Sequence, residues 1–361
     1  MVVGRVISSV AQRQVRYVTP VSANNATGLV STVYGQIADE MRLVVPPALL
    51  HSPAPDLLAA YWMLMREPLL PTVTVTRAVK EAVAAVVSVA NTCPYCAEMH
   101  SIGLYDLSTE QEAEAVLADR LDEVVDPRVR SVAEWARTAH RPGTPGGEQP
   151  FPAADRPELV GVAVSFHYLT RMVNVFLSSF LLPPGLRPAS RRRAKRGISR
   201  VLRPTLRGNR EAGRSVPLLP DAPLPADAGW AVGNPSVEAA VARSYAAYEA
   251  AGERSVPSAV RDVVRARLAD WRGEDTGMSR RWVEPLVAGL PEAHRAAGRV
   301  ALLTAVASYQ VDEEEIAAFR RAQPDDRALV ETVAWASFAA ARQVGSWQVP
   351  ATSGTAPRTQ S

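Results

Sequence analysis

The stretch EAVAAVVSVANTCPYCAEMHS, Glu81 to Ser101, holds both cysteines of the 361-residue chain, Cys93 and Cys96. Ala82 to Ala90 is alanine-rich and apolar, which suits a buried helix. Asn91, Thr92 and Pro94 interrupt it. Asn and Thr are cap residues, and Pro is accepted in a first helical turn. A new helix is therefore expected to start near Thr92 or Cys93. On it Cys93 and Cys96 are three residues apart and Cys96 and His100 four, spacings that stack side chains on one face. The two thiols can close into a disulfide, and His100 can reach Cys96 directly or through a water. Cys93 falls at the positive end of the helix dipole, which favours thiolate over thiol. Glu81 sits on the preceding helix, twelve residues before Cys93. If the two helices pack side by side, its carboxylate can orient His100 and hold the proton lost by a thiol.

Each of these residues also has a plainer reading. A Cys-x2-Cys pair can be half of a zinc site, but only His100 and Glu81 could join it and the chain has no further cysteine. A purely structural disulfide across so short a loop would constrain little. Glu81 taken alone is a solvated helix start, and His100 alone an ordinary helix residue. The joint spacing is what sets them apart.

Glu81-x11-Cys93-x2-Cys96-x3-His100 resembles the signature of the alkylhydroperoxidase D family, within the carboxymuconolactone decarboxylase-like superfamily. Arg77-x3-Glu81 and the run Asn91-Thr92-Cys93-Pro94-Tyr95-Cys96 resemble its peroxidase-related branch. The resemblance covers roughly Thr27 to Pro183. It implies an all-helical homo-oligomer in which Cys93 and Cys96 are the redox pair and Glu81 and His100 the proton relay. It implies a peroxide substrate and an external reductant, a dithiol or a thioredoxin-like or lipoyl partner. It makes Cys96, nearest His100, the activated thiol, whereas the helix dipole favours Cys93; both orders stand. No metal, flavin or other cofactor is implied. Tyr95 is a departure, since the best-known members carry a histidine just before the second cysteine.

Length makes two domains the natural expectation. A hydrophobic share of 47% supports real cores, and a mean hydropathy of -0.05 is that of a soluble protein. Lysine is confined to Lys80 and Lys195, and the net charge is only +3. The pI near 9.0 comes largely from one local cluster, so nucleic acid is not the expected partner of the whole protein. Arg5, Arg13 and Arg16 break up any N-terminal export signal, and a redox-type cysteine pair fits a reducing cytoplasm. Leu159 to Leu182 is the most apolar long segment. It contains His167, Arg171 and Asn174, which favours a core helix over a membrane span.

The expected order is a loose arm (1–26), a helical domain carrying the cysteine pair (27–183), a basic linker (184–226), a second helical domain (227–349) and a disordered tail (350–361). Within the first domain, helices are expected over Thr27–Val45, Pro55–Arg66, Thr72–Ala90, Thr92–Leu104, from Ser108, over Pro127–Ala139 and from Asp155 through Phe180. No convincing strand pattern appears. Between Arg187 and Arg214 eleven basic residues face one acid, Glu211, a local charge of +10. The first reading is a solvated linker with short helical pieces; an anionic partner is the second. The absence of aromatic residues there speaks against single-strand stacking.

The second half resembles the first. Ser258-Ala259-Val260-Arg261-Asp262 lines up with Arg77-Ala78-Val79-Lys80-Glu81, and Asp325 to Glu331 resembles Ala154 to Val160. Carrying the spacing forward puts Glu274, Gly277 and Arg281 opposite Cys93, Cys96 and His100. The fold class expected is therefore all-α, with two tandem alkylhydroperoxidase D-like helical domains, the second degenerate and without redox chemistry. Coincidence between two Ala/Val-rich segments is the alternative. His51, His140 and His294 carry little signal, and His167 reads as a core histidine. The function expected is a thiol-dependent peroxidase or thiol–disulfide oxidoreductase. The rivals are a lactone decarboxylase of the same superfamily and a non-enzymatic interaction protein with a vestigial site.

Overall fold

Prolines mark where many helices begin. In the computed structural model, which describes residues 14–143, 149–178 and 180–349, the first half comprises α1 (Gly28–Met41), α2 (Pro46–His51), α3 (Pro55–Leu69), α4 (Arg77–Ala90), α5 (Pro94–Leu107), α6 (Glu110–Leu117), α7 (Pro127–Thr138) and α8 (Arg156–Phe176). Then come α9 (Pro188–Arg207) and the second half: α10 (Pro235–Ser255), α11 (Ser258–Asp270), α12 (Glu284–Ala288), α13 (Glu292–Ala307), α14 (Glu313–Ala322) and α15 (Asp326–Ser346). Proline stands in the first turn of α2, α3, α5, α7, α9 and α10, where its missing N–H costs nothing. The chain is all-α. Among the described residues its one extended pairing is an isolated bridge between Val15 and Leu177.

α8 is the axis of the core. It packs against α3, α4 and α15, and it is buried almost throughout, His167 and Arg171 included. It is long and apolar enough to cross a membrane, yet it lies inside the protein. Each half ends on a 21-residue helix, α8 and α15, and these two pack on each other, as do α3 and α10. One hydrophobic core runs through both halves.

Several boundaries differ from expectation. α1 stops at Met41, not Val45, because Arg42 turns left-handed (φ 68°) and its N–H closes on Ala38. Pro46 and Pro47 open α2 rather than ending α1. α4 starts at Arg77, not Thr72; Thr74 is held instead by Glu158, at 2.7 Å. α8 stops at Phe176, not Phe180, since Leu177 goes extended to meet Val15. Residues 14–26 are not a loose arm. Arg16 N–H donates to the Phe176 carbonyl (2.7 Å), Thr19 N–H to Asp326 (2.7 Å) and Val21 N–H to Ser52 (2.8 Å). Residues 1–13 of the expected arm and the expected tail 350–361 lie outside the described residues.

The basic stretch is not a solvated linker either. Pro188–Arg207 is one 20-residue helix laid along α5. Seven of its neighbourhood's eleven cations meet carboxylates of the first half. Arg191 pairs with Glu98 (2.5 Å), Lys195 with Glu114 (2.7 Å), and Arg203 and Arg207 share Asp106 (2.6 and 2.7 Å). Arg192 and Arg196 face Glu110, and Arg214 reaches Asp39 and Glu40. The segment after α9 is pinned through Glu67, which accepts from Gly213 and Ser215 N–H (2.7 and 3.0 Å) while paired with buried Arg66.

Candidate active site

The turn between α4 and α5 delivers the cysteine pair. Thr92 N–H bonds to the Val89 carbonyl (3.0 Å) and Cys93 N–H to the Ser88 carbonyl (2.9 Å). This is a Schellman closure with Thr92 in the left-handed position (φ 52°) that glycine usually takes. A β-branched residue there is strained. The closure ends α4 and sets Cys93 as the N-cap of α5, with Cys96 one turn in. The sulfurs are 2.7 Å apart, and both residues are buried free thiols.

Burial pushes the Cys96 thiol well above its ordinary pKa, and its contact with Cys93 pushes it further. Tyr61 and Tyr95 lie close enough to feel a charge on Cys96, and burial raises both phenols. Tyr95, where a histidine was the family expectation, donates to Gln14 at 3.1 Å.

α5 lies against α4, and this brings Glu81 and His100 together. Glu81 Oε2 accepts from His100 Nδ1 at 2.6 Å, and its other oxygen accepts from Arg77 Nε, also at 2.6 Å. Burial alone would raise the Glu81 pKa. Arg77, then His100, outweigh it and hold the carboxyl at about 2. With Glu81 bound at Nδ1, Nε2 is the His100 ring nitrogen left for another partner. Among the described residues no hydrogen bond joins His100 to either sulfur, so of the two routes expected to Cys96, direct or through a water, the direct one is not made. Gly103 lets the carboxylate lie flush on α5: a Cβ there would sit 3.1 Å from Glu81 Oε2.

His100, Glu81 and Arg77 border an apolar cavity of about 170 Å³. Phe166 of α8 packs edge-on to the His100 ring, centroids 4.5 Å apart. Met41, Met65 and Met99 line it, and α9 supplies a wall with Leu202, Thr205 and Leu206. All four residues singled out in the sequence thus gather at the α4–α5 seam. Tyr61, Phe166 and the α9 wall were not anticipated. The signal for α9 was present as a helical stripe, Lys195, Ile198, Leu202 and Leu206, set within the arginines.

In the second half the positions opposite the cysteine helix carry no such helix. α11 ends at Asp270, Glu274 and Gly277 fall in a loop, and Arg281 starts a short 3-10 turn. Glu274 pairs with Arg267 at 2.9 Å.

Residues 56–138 match the Carboxymuconolactone decarboxylase family. A Mycobacterium tuberculosis protein named as an alkyl hydroperoxide reductase is 36% identical over 345 residues, 95% of this chain and 98% of the relative. The chain belongs to the carboxymuconolactone decarboxylase family. The family match runs from α3 through α7 and contains Glu81, Cys93, Cys96 and His100. Phe166 and the α9 wall lie beyond it, so this member of the carboxymuconolactone decarboxylase family builds its cavity partly from chain outside the matched segment.

Proposed function

We propose that this chain is a thiol-dependent peroxidase that reduces organic hydroperoxides through the Cys93/Cys96 pair. The observation that carries this reading is the Arg77–Glu81–His100 chain, which borders an apolar cavity and shares α5 with two touching thiols. The relative's name, alkyl hydroperoxide reductase, supports it.

His100 Nε2 takes the proton of the attacking thiol, Cys96 in this reading, through a molecule in the cavity. Glu81 stabilises the imidazolium. The thiolate attacks the distal oxygen of the hydroperoxide and the O–O bond breaks. The leaving alkoxide takes the proton back from His100 and departs as the alcohol, and the sulfur becomes a sulfenic acid. Cys93 attacks that sulfur, water leaves, and a Cys93–Cys96 disulfide forms. An external dithiol returns two electrons and two protons and is itself oxidised to a disulfide. Burial of Cys96 explains why a relay is needed, since the thiol on its own stays protonated at neutral pH. The apolar lining favours hydroperoxides with a hydrocarbon body over hydrogen peroxide.

A lactone decarboxylase would leave the paired thiols without a role. The separating test is hydroperoxide consumption with a dithiol reductant. Turnover in the wild type and its loss in Cys96→Ser are expected. Equal consumption by both proteins would overturn the reading.

A further inference from the structure

A second cavity, about 530 Å³, lies between the two halves on the other flank of the cysteine turn. Asn91 and Thr92, the two residues before Cys93, form one side, and Trp271 and Tyr309 of the second half form the other. Its charges are unevenly matched. Of the three carboxylates that line it, Asp119 faces Arg137 (3.7 Å) and Glu274 takes Arg267 (2.9 Å), while Asp275 accepts from the neutral Tyr309 hydroxyl (2.8 Å). Arg171 also lines it and is only 3% exposed. Its donors reach neutral acceptors, the carbonyls of Ala305 (3.0 Å) and His167 (2.6 Å) and Asn91 Oδ1 (3.4 Å). Among the described residues no carboxylate pairs with it. Burial pulls its pKa down to about 10, the signature of a cation removed from water without a counter-charge.

The hydrogen-bond directions extend this imbalance. With Asn91 Oδ1 turned to Arg171, its NH₂ donates to His167 Nδ1 at 2.9 Å. His167 then carries its proton on Nε2, and that buried atom has no acceptor. The His140 ring lies 6.1 Å from the His167 ring, and its buried Nδ1 is also without a partner. Arg171, with no carboxylate partner, and the unpartnered ring nitrogens of His140 and His167 leave hydrogen-bonding capacity unfilled at this flank, and the space exceeds that of a single ion.

We propose that this interdomain cavity binds a small oxyanion-bearing molecule, a carboxylate or a phosphate, with Arg171 as its counter-charge. The inference does not depend on the redox reading. It is tested on the full-length chain by scanning calorimetry with citrate or inorganic phosphate against sodium chloride at equal ionic strength. A saturable rise of roughly 3 °C is expected at about a hundred times the Kd. Asn91→Asp places a carboxylate beside Arg171, so it should raise the melting temperature without ligand and abolish the anion-dependent rise. Arg171→Met should abolish that rise as well; if it does not fold, Asn91→Asp alone decides. Absence of a saturable shift for both anions, or a shift of the same size in Asn91→Asp, overturns the proposal.

Discussion

Glu81 joins Arg77 to His100, and its ionisation links the site to stability. Its folded pKa of about 2 lies below the ordinary carboxylate value of 4.5. A depressed carboxyl contributes stability above its unfolded pKa and loses it as pH falls through the folded one. Glu81→Gln should therefore cost on the order of 3 kcal/mol at pH 7, and the gap from wild type should narrow as pH drops from about 5 toward 2. Urea midpoints of both proteins across that window check this; a pH-independent gap would contradict it. Gly103 makes a second residue-scale case. Gly103→Ala keeps a good helix former but forces Glu81 to yield by a few tenths of an ångström. The fold should survive, judged by circular dichroism, while alkylation of the reduced thiols at neutral pH slows severalfold.

At the scale of elements, the α4–α5 turn and α9 matter most. Thr92 keeps a strained left-handed backbone that costs about 1–2 kcal/mol relative to an unstrained one. Thr92→Gly should relieve it and, after glycine's extra entropy loss, stabilise by about 0.5–1 kcal/mol. A fall in melting temperature would show that the Thr92 side chain is needed for more than its backbone. α9 is held by ion pairs whose arginines are largely exposed, each contributing about 0–1 kcal/mol. Asp106 receives two of them. Asp106→Asn should free the C-terminal part of α9, and trypsin should cut after Arg207, which precedes Gly208, several times faster than in wild type. Equal cleavage would mean that the apolar stripe alone holds the helix.

These elements also divide what was legible in the sequence from what was not. The Glu81–His100 pattern could be read because helix periodicity is local, and two stacked helices suffice to juxtapose its members. The break at Asn91–Thr92–Pro94 placed the α5 start to within a residue or two. α9 was misread because its apolar stripe is thin and its arginines dominate composition. Their partners, Glu98, Asp106, Glu110 and Glu114, lie some 80 to 100 positions away in the chain. Long-range pairing of that kind leaves no local trace. The arm at 14–26 was misread for the same reason, its anchors being Phe176, Asp326 and Ser52.

For the whole molecule, the pairing of α3 with α10 and α8 with α15 sets like against like. α10 and α15 occupy the places in the second half that α3 and α8 occupy in the first. A core continuous across both halves should melt as one unit. Calorimetry is expected to give a single transition with matching calorimetric and van't Hoff enthalpies, and two separated transitions would contradict the shared core. The central claim is that the chain reduces hydroperoxides with its own two thiols, and it is tested most directly in a single turnover. Reduced full-length protein, freed of dithiol, is mixed with excess cumene hydroperoxide, and thiols lost and alcohol formed are counted. The expected result is one alcohol formed and two thiols lost per chain, with the thiols restored by dithiol and the reaction slowed at neutral pH in His100→Ala. Two thiols still free, with the hydroperoxide intact, would contradict it.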